Sequence, residues 1–187
     1  MRNIPPAVLI LLFAPIGAGW ATEGYWRDAR DVREGVKLKE LSFTEPRLMK
    51  AWVVRVDLKT PGIGFVTTER AEQWGRQMPD YTNGVATASC TSRPLHPRTA
   101  FGVSNDGRYL HVLVVDGRQP GYSLGASLVD LKDILLAAGA SDVLNMDGGG
   151  STSLVVFDPE ARVPRMLNHH RNGGMRNVAL NFGITFD

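Results

Sequence analysis

The chain has 187 residues, of which 43% are hydrophobic and 21% charged, with a formal net charge of +2. That length allows one domain with a substantial core and is short for two. The near-neutral balance gives no whole-chain reason to expect nucleic acid as a partner.

Residues 1–21 read as a secretory signal peptide: Arg2 supplies the positive end, AVLILLFAPI the apolar middle, and Gly19-Trp20-Ala21 a small-residue cleavage site. The apolar run is about half the ~20 residues that span a bilayer, so no stable membrane span is expected after cleavage. The single cysteine, Cys90, excludes an intrachain disulfide. Secreted or periplasmic export from a bacterium is therefore expected, with core packing holding the fold. Residues 22–35 are charged and aromatic without a period, and are expected to form an N-terminal arm. Residues 36–187 form the domain proper.

Within it, residues 36–43 and 48–58 read as strands, the second with Trp52, Val54 and Val56 on one face and Val53, Arg55 and Asp57 on the other. Pro61-Gly62 turns the chain into a short β run at 64–68. Residues 69–77 have the pattern of a short helix, and 78–97 have no period at all. A loop of that size inside a compact domain is usually functional or mobile.

From Arg98 the pattern sharpens. Strands at 99–104 and Tyr109–Val115 flank Asn105-Asp106-Gly107, a hairpin signature. A polar loop follows, then a helix over 127–138. Ser127 is its N-cap with Asp130 three residues on, Leu128, Leu131, Leu135 and Ala138 share one face, and Gly139 ends it. Strand-like runs at 142–146 and 152–157 enclose Gly148-Gly149-Gly150, most simply a hairpin. Residues 163–167 suit an edge strand interrupted by Pro164, 168–177 a loop, and 178–186 a closing strand. The predicted class is α+β, a largely antiparallel or mixed sheet with one well-defined helix.

The glycine triplet is the centre of the functional reading. Glycine lets the backbone take positive φ and approach a ligand closely. No lysine follows the triplet and a strand-like run replaces the helix, so it is not a Walker-type phosphate loop.

Asp116-Gly-Arg-Gln-Pro-Gly-Tyr-Ser123, then a helix, then Leu144-Asn-Met-Asp-Gly-Gly-Gly-Ser-Thr152, then a glycine-containing loop and Arg176-Asn-Val-Ala179, resemble the phosphodiester glycosidase family. The likeness spans roughly Lys50 to the end and is strong from Arg98 to Ile184. It implies removal of a sugar joined through its anomeric oxygen to a phosphodiester, with a carbohydrate phosphodiester as the partner and an envelope or exopolysaccharide component as the source. Two departures stand out. Only residues 69–97 fill a region that is longer in the family and carries an Asn-Gly-Gly-Phe-Phe-like turn. Leu180 stands where an asparagine is usual, and Asn181 follows it.

That chemistry gives the motif residues roles. Asp116 and Asp147 are the candidate carboxylates of glycosidic hydrolysis. Arg118 suits a bidentate grip on phosphate. The N–H groups of Gly148, Gly149 and Gly150, with the hydroxyls of Ser151 and Thr152, suit an anion cradle. Asn145, Asn168 and Arg176 complete the substrate contacts. Each has a plain alternative: either aspartate as a turn cap, Arg118 as a surface charge. Adjacent His169 and His170 lack a carboxylate partner, so no metal or other cofactor is expected. Two other functions compete: a non-catalytic glycan or phosphate binder, and a phosphodiesterase cutting P–O.

Overall fold

The computed structural model describes residues 21–67, 81–82, 85–86, 94–171, 173, 178 and 181–187. The signal-peptide reading, the short helix at 69–77, Cys90 and Arg176 lie outside the described residues, Ala21 excepted. In chain order the elements are α1 (Ala21–Tyr25), β1 (Arg30–Arg33), β2 (Val36–Phe43), β3 (Met49–Asp57), β4 (Ile63–Thr67), β5 (Tyr81–Thr82) and β6 (Val85–Ala86). They continue with β7 (Arg98–Val103), β8 (Tyr109–Val115), α2 (Leu128–Ala138), β9 (Asp142–Asn145), β10 (Val155–Asp158), β11 (Val163–Met166) and β12 (Phe182–Phe186).

The main sheet runs β1-β2-β3-β8-β7-β9-β5-β6, each pairing antiparallel. Two-stranded sheets, β10–β11 and β4–β12, complete the α+β fold. Side chains alternate across a strand, and here both faces are covered. Met49, Ala51, Val53, Ala100, Leu113, Val115 and Val143 pack beneath Leu131, Ile134, Leu135 and Ala138 of α2. Trp52, Val54, Val56 and Val112 face the other way, packed with Ile63, Ile184 and Phe186 of the β4–β12 sheet and with Leu154 and Leu167. Burial on both faces explains why β3 and β8 are nearly continuous apolar runs.

The capping signature of α2 is realised in both directions. Ser127 Oγ accepts from Asp130 N at 3.2 Å, and Asp130 Oδ2 accepts from Ser127 N at 2.7 Å. Gly139, at φ 106°, closes the helix by donating to the carbonyls of Leu135 and Leu136.

Two expectations change. Residues 22–35 do more than connect: β1 extends the sheet beside β2, and Trp26 is 2% exposed within the α2-side core, its Nε1 donating to Ala138 O at 2.9 Å. The glycine triplet is not a hairpin turn. β9 pairs with β7, whereas β10 pairs with β11 in a separate sheet. Gly149–Ser151 form a single 3-10 turn, with Gly149 at φ 64° donating its N–H to Pro97 O at 2.8 Å. Pro97, just ahead of β7, thus captures the triplet and steers the chain away from the main sheet.

Candidate active site

β7 starts, and β8 and β9 end, at the same end of the main sheet, since Arg98 pairs with Val115 and Ala100 with Asn145. The segments emerging there meet backbone to backbone. A Cβ on Gly117 would lie 2.6 Å from Pro97 N and 2.8 Å from Gly125 Cα, and one on Gly148 2.7 Å from Pro97 O. Any side chain would force them apart.

The result is a cleft of about 540 Å³ lined by Pro97, Asp116, Gly117, Arg118, Gln119, Gly149, Gly150, Thr152, Asn168, His169, His170 and Arg171. Asp116 forms its floor, 1% exposed. Its Oδ1 accepts from Asn168 Nδ2 at 3.0 Å, and its Oδ2 from His169 N at 2.8 Å and Tyr122 Oη at 3.1 Å. Burial, followed by the Asp116 charge, pushes the Tyr122 phenol up to about 12, so it remains a donor at neutral pH. Asn168 also donates to Thr152 O and accepts from Leu154 N, tying the 168–171 loop to the segment leading into β10. Gln119 grips the same loop twice, through His169 O at 2.9 Å and His169 Nδ1 at 2.7 Å. His170 Nε2 lies 3.0 Å from Ser153 Oγ.

Around this fixed carboxylate the wall is cationic. Arg118 and Arg171 line the cleft, and among the described residues neither is in an ion pair. Arg118 takes the left-handed conformation, φ 59°, and its guanidinium lies over Gly149 and against His96. Thr152 is 1% exposed, and among the described residues its hydroxyl has no hydrogen-bond partner. A buried, unpartnered hydroxyl on a cleft wall is a group that a ligand oxygen satisfies. Among the described residues no cluster of three His, Cys, Asp or Glu suits a metal ion, and no helix is long and apolar enough to cross a membrane.

Of the residues singled out in the sequence, Asp116, Arg118, Gly149, Gly150, Thr152 and Asn168 line this cleft. Gly148 lies behind it against Pro97. Asn145 accepts from Arg98 Nη1 at 3.4 Å and serves the sheet end, away from the lining. Ser151 contributes its backbone to the 3-10 turn, donating to Gly148 O at 3.2 Å. Asp147 is exposed, accepts from Gly148 N at 2.8 Å and does not line the cleft. The sequence did not single out His96, Gln119, Tyr122 or Arg171. Gln119 and Tyr122 lie inside the Asp116–Ser123 motif, whereas His96 and Arg171 sit in aperiodic loops that carry no signal of their own.

Residues 64–185 match the sequence profile of the phosphodiester glycosidase family. No curated protein matches the chain. Among solved structures, the pro-peptide-inhibited catalytic domain of zebrafish N-acetylglucosamine-1-phosphodiester alpha-N-acetylglucosaminidase is similar with a TM-score of 0.52. That match is 11% identical over 81% of this chain and 82% of that one, a likeness of fold alone. A candidate exported protein of Burkholderia pseudomallei shares 32% identity over 49% of this chain, with a TM-score of 0.40. A hypothetical protein of Synechocystis shares 22% identity over 60% of it, with a TM-score of 0.43. The chain covers 16% and 21% of those two proteins.

Proposed function

The chain belongs to the phosphodiester glycosidase family, and from that premise we propose that it is an exported hydrolase acting on a sugar-1-phosphodiester. The observation that carries the proposal is the arrangement in the cleft: among the described residues, two arginines without ion pairs and a buried hydroxyl without a hydrogen-bond partner surround one fixed carboxylate. Such a site suits a substrate that brings a phosphate anion and develops positive charge beside it.

In this reading water bonds to the anomeric carbon as the glycosidic C–O bond breaks. The bridging oxygen and its electron pair leave with the phosphate, and a water proton goes to the released phosphomonoester or to solvent. A phosphomonoester has a second pKa near ~6, so its departure needs charge neutralisation more than protonation. Arg118 and Arg171 supply that charge, and the backbone of Gly149 and Gly150 with the Thr152 hydroxyl completes the anion contacts. Asp116 supports the oxocarbenium-like sugar. A carboxylate offers about four acceptor sites, and three are already used to fix it in place. Asp116 is a better candidate than Asp147 because it lines the cleft. Export rests on the signal-peptide pattern of residues 1–21, and an envelope or exopolysaccharide component is the source of substrate it implies.

Hydrolysis of a sugar-1-phosphodiester in oxygen-18 water tests the reaction. Label in the released sugar is expected. Label in the phosphate would make the protein a P–O phosphodiesterase, and binding without turnover would make it a glycan or phosphate binder.

A further inference from the structure

We infer that His96 is the positioning residue for Arg118: a neutral imidazole whose Nδ1 accepts from the guanidinium and aims it into the cleft without cancelling its charge. The inference rests on the proposal that Arg118 meets the phosphate group of the substrate.

The geometry begins with the backbone of His96. Its N–H donates to Ala126 O at 3.2 Å, and its carbonyl accepts from Ala126 N at 3.0 Å. Gly125, at φ 108°, presses so close that a Cβ there would lie 2.7 Å from the His96 carbonyl. The imidazole is therefore carried on a segment that cannot shift independently of the 116–126 loop. From that mount Nδ1 stands 3.3 Å from Arg118 Nε and 3.2 Å from Arg118 Nη2. A guanidinium has donors and no acceptor, so Nδ1 must hold its lone pair toward Arg118 and the ring proton must sit on Nε2. Nη1 is left facing Gly149, where a Cβ would come within 3.2 Å of it.

The choice of partner matters chemically. A carboxylate in the place of His96 would orient Arg118 equally well, but would neutralise the cation that a phosphate needs. An imidazole orients it and leaves the charge available. The charged groups acting on the ring are Arg118 itself, from the loop after β8, and Arg98, from the start of β7. Arg98 is in turn influenced by Asp130 of α2 and by Arg118. Burial, then Arg118, then Arg98 hold the imidazole below its ordinary pKa, against a smaller opposing effect of the Leu95 backbone. Neutral His96 is thus the form that prevails near neutral pH. Its protonation removes the lone pair and sets one cation against another, so Arg118 leaves its aim.

The test uses the full chain and dimethyl phosphate, a phosphodiester that remains a monoanion across the working pH range. Wild-type binding is expected to weaken on acidification with the midpoint of the His96 ring titration, followed by NMR. His96→Ala is expected to weaken binding about tenfold at neutral pH. His96→Asn, which places an amide oxygen near the position of Nδ1 and does not titrate, is expected to restore affinity and to remove the acid loss. An alanine variant that binds like wild type, or an asparagine variant that keeps the acid loss, overturns the inference. The Arg118 Nε–H resonance gives a reading that needs neither ligand nor variant. It is expected to shift with the same midpoint as the His96 ring, and independence of the two overturns the inference. These measurements do not involve sugar release. An intact His96–Arg118 linkage with no turnover therefore rejects the hydrolase reading alone.

Discussion

Asn168 Nδ2 stands 3.0 Å from Asp116 Oδ1, and both side chains are buried at the floor of the cleft. The asparagine also bonds the backbone, donating to Thr152 O and accepting from Leu154 N. One amide thereby fixes the carboxylate and joins the main sheet to the segment entering β10. Asn168→Asp replaces a donor with a second buried carboxylate and is expected to cost about 3–5 kcal/mol at neutral pH. The loss should shrink on acidification, as one of the pair takes up a proton. Urea unfolding at two pH values checks both statements.

Arg118→Ala is expected to lower kcat/KM on a sugar-1-phosphodiester by about 10²-fold or more while leaving the unfolding midpoint near that of wild type. Removal of charge-assisted bonds to phosphate accounts for the first effect. The exposed position of Arg118 accounts for the second. Unchanged kinetics would make Arg118 an ordinary surface charge.

The two aspartates separate by substitution. Asp116→Asn is expected to lower kcat by about 10³-fold or more, since it removes the only carboxylate among the described residues that line the cleft. Asp147→Asn is expected to stay within about threefold of wild type, because the amide oxygen keeps the bond to Gly148 N. Stability is measured alongside, because the amide introduced by Asp116→Asn would turn its own N–H groups toward the donors that now hold the carboxylate. Loss of turnover in the Asp147 variant alone would reverse the assignment.

His111 lies 1% exposed between Trp26 and Tyr109, and among the described residues neither ring nitrogen has a hydrogen-bond partner. Burial, with a further contribution from Arg55, pushes its pKa from 6.5 down to about 4, outweighing the nearby carbonyls of Ala138 and Gly102. Between those values the unfolded chain binds a proton that the folded chain refuses, so stability falls as pH drops from 6.5 toward 4 and the effect levels off below. The shift is worth on the order of 3 kcal/mol. His111→Phe is expected to flatten that part of the stability–pH curve, and an unchanged slope would remove His111 as its source.

Trp26→Ala is expected to destabilise the fold by about 3–5 kcal/mol, through lost core packing and the lost bond to Ala138 O. The same result would place residues 22–35 inside the folding unit.

The elements whose cues are local were legible in the sequence. The Ser127–Asp130 capping box and the β7–β8 hairpin formed where short-range chemistry asks for them, and Asp116, Arg118, Thr152 and Asn168 came from motifs that stay together in space. What was not legible depends on meetings between distant segments. The departure of Gly148-Gly149-Gly150 from a hairpin requires Pro97 O, and the partnership of His96 with Arg118 requires Gly125 against the His96 backbone. Trp26 has no periodic neighbours to announce its burial. Asn145 and Asp147 stand in the right motif, but strand alternation and the turn direct them away from the lining residues.

Gly117, Gly125 and Gly148 reach residues 96 and 97 from two other parts of the chain, and they do so with no side chain between. Contacts made by backbone alone, with no side chain buried between the segments, can open without global unfolding. The β2–β3–β8 ladder has no such dependence, since its register is set by buried alternation along each strand. Hydrogen exchange should therefore divide the protein in two. Amides of β3 are the last to exchange, while those of Ala126 and Gly149, bonded to His96 and Pro97, exchange through a smaller opening. A Gly148→Ala chain would carry that division to its limit, keeping the protected sheet and lacking the cleft.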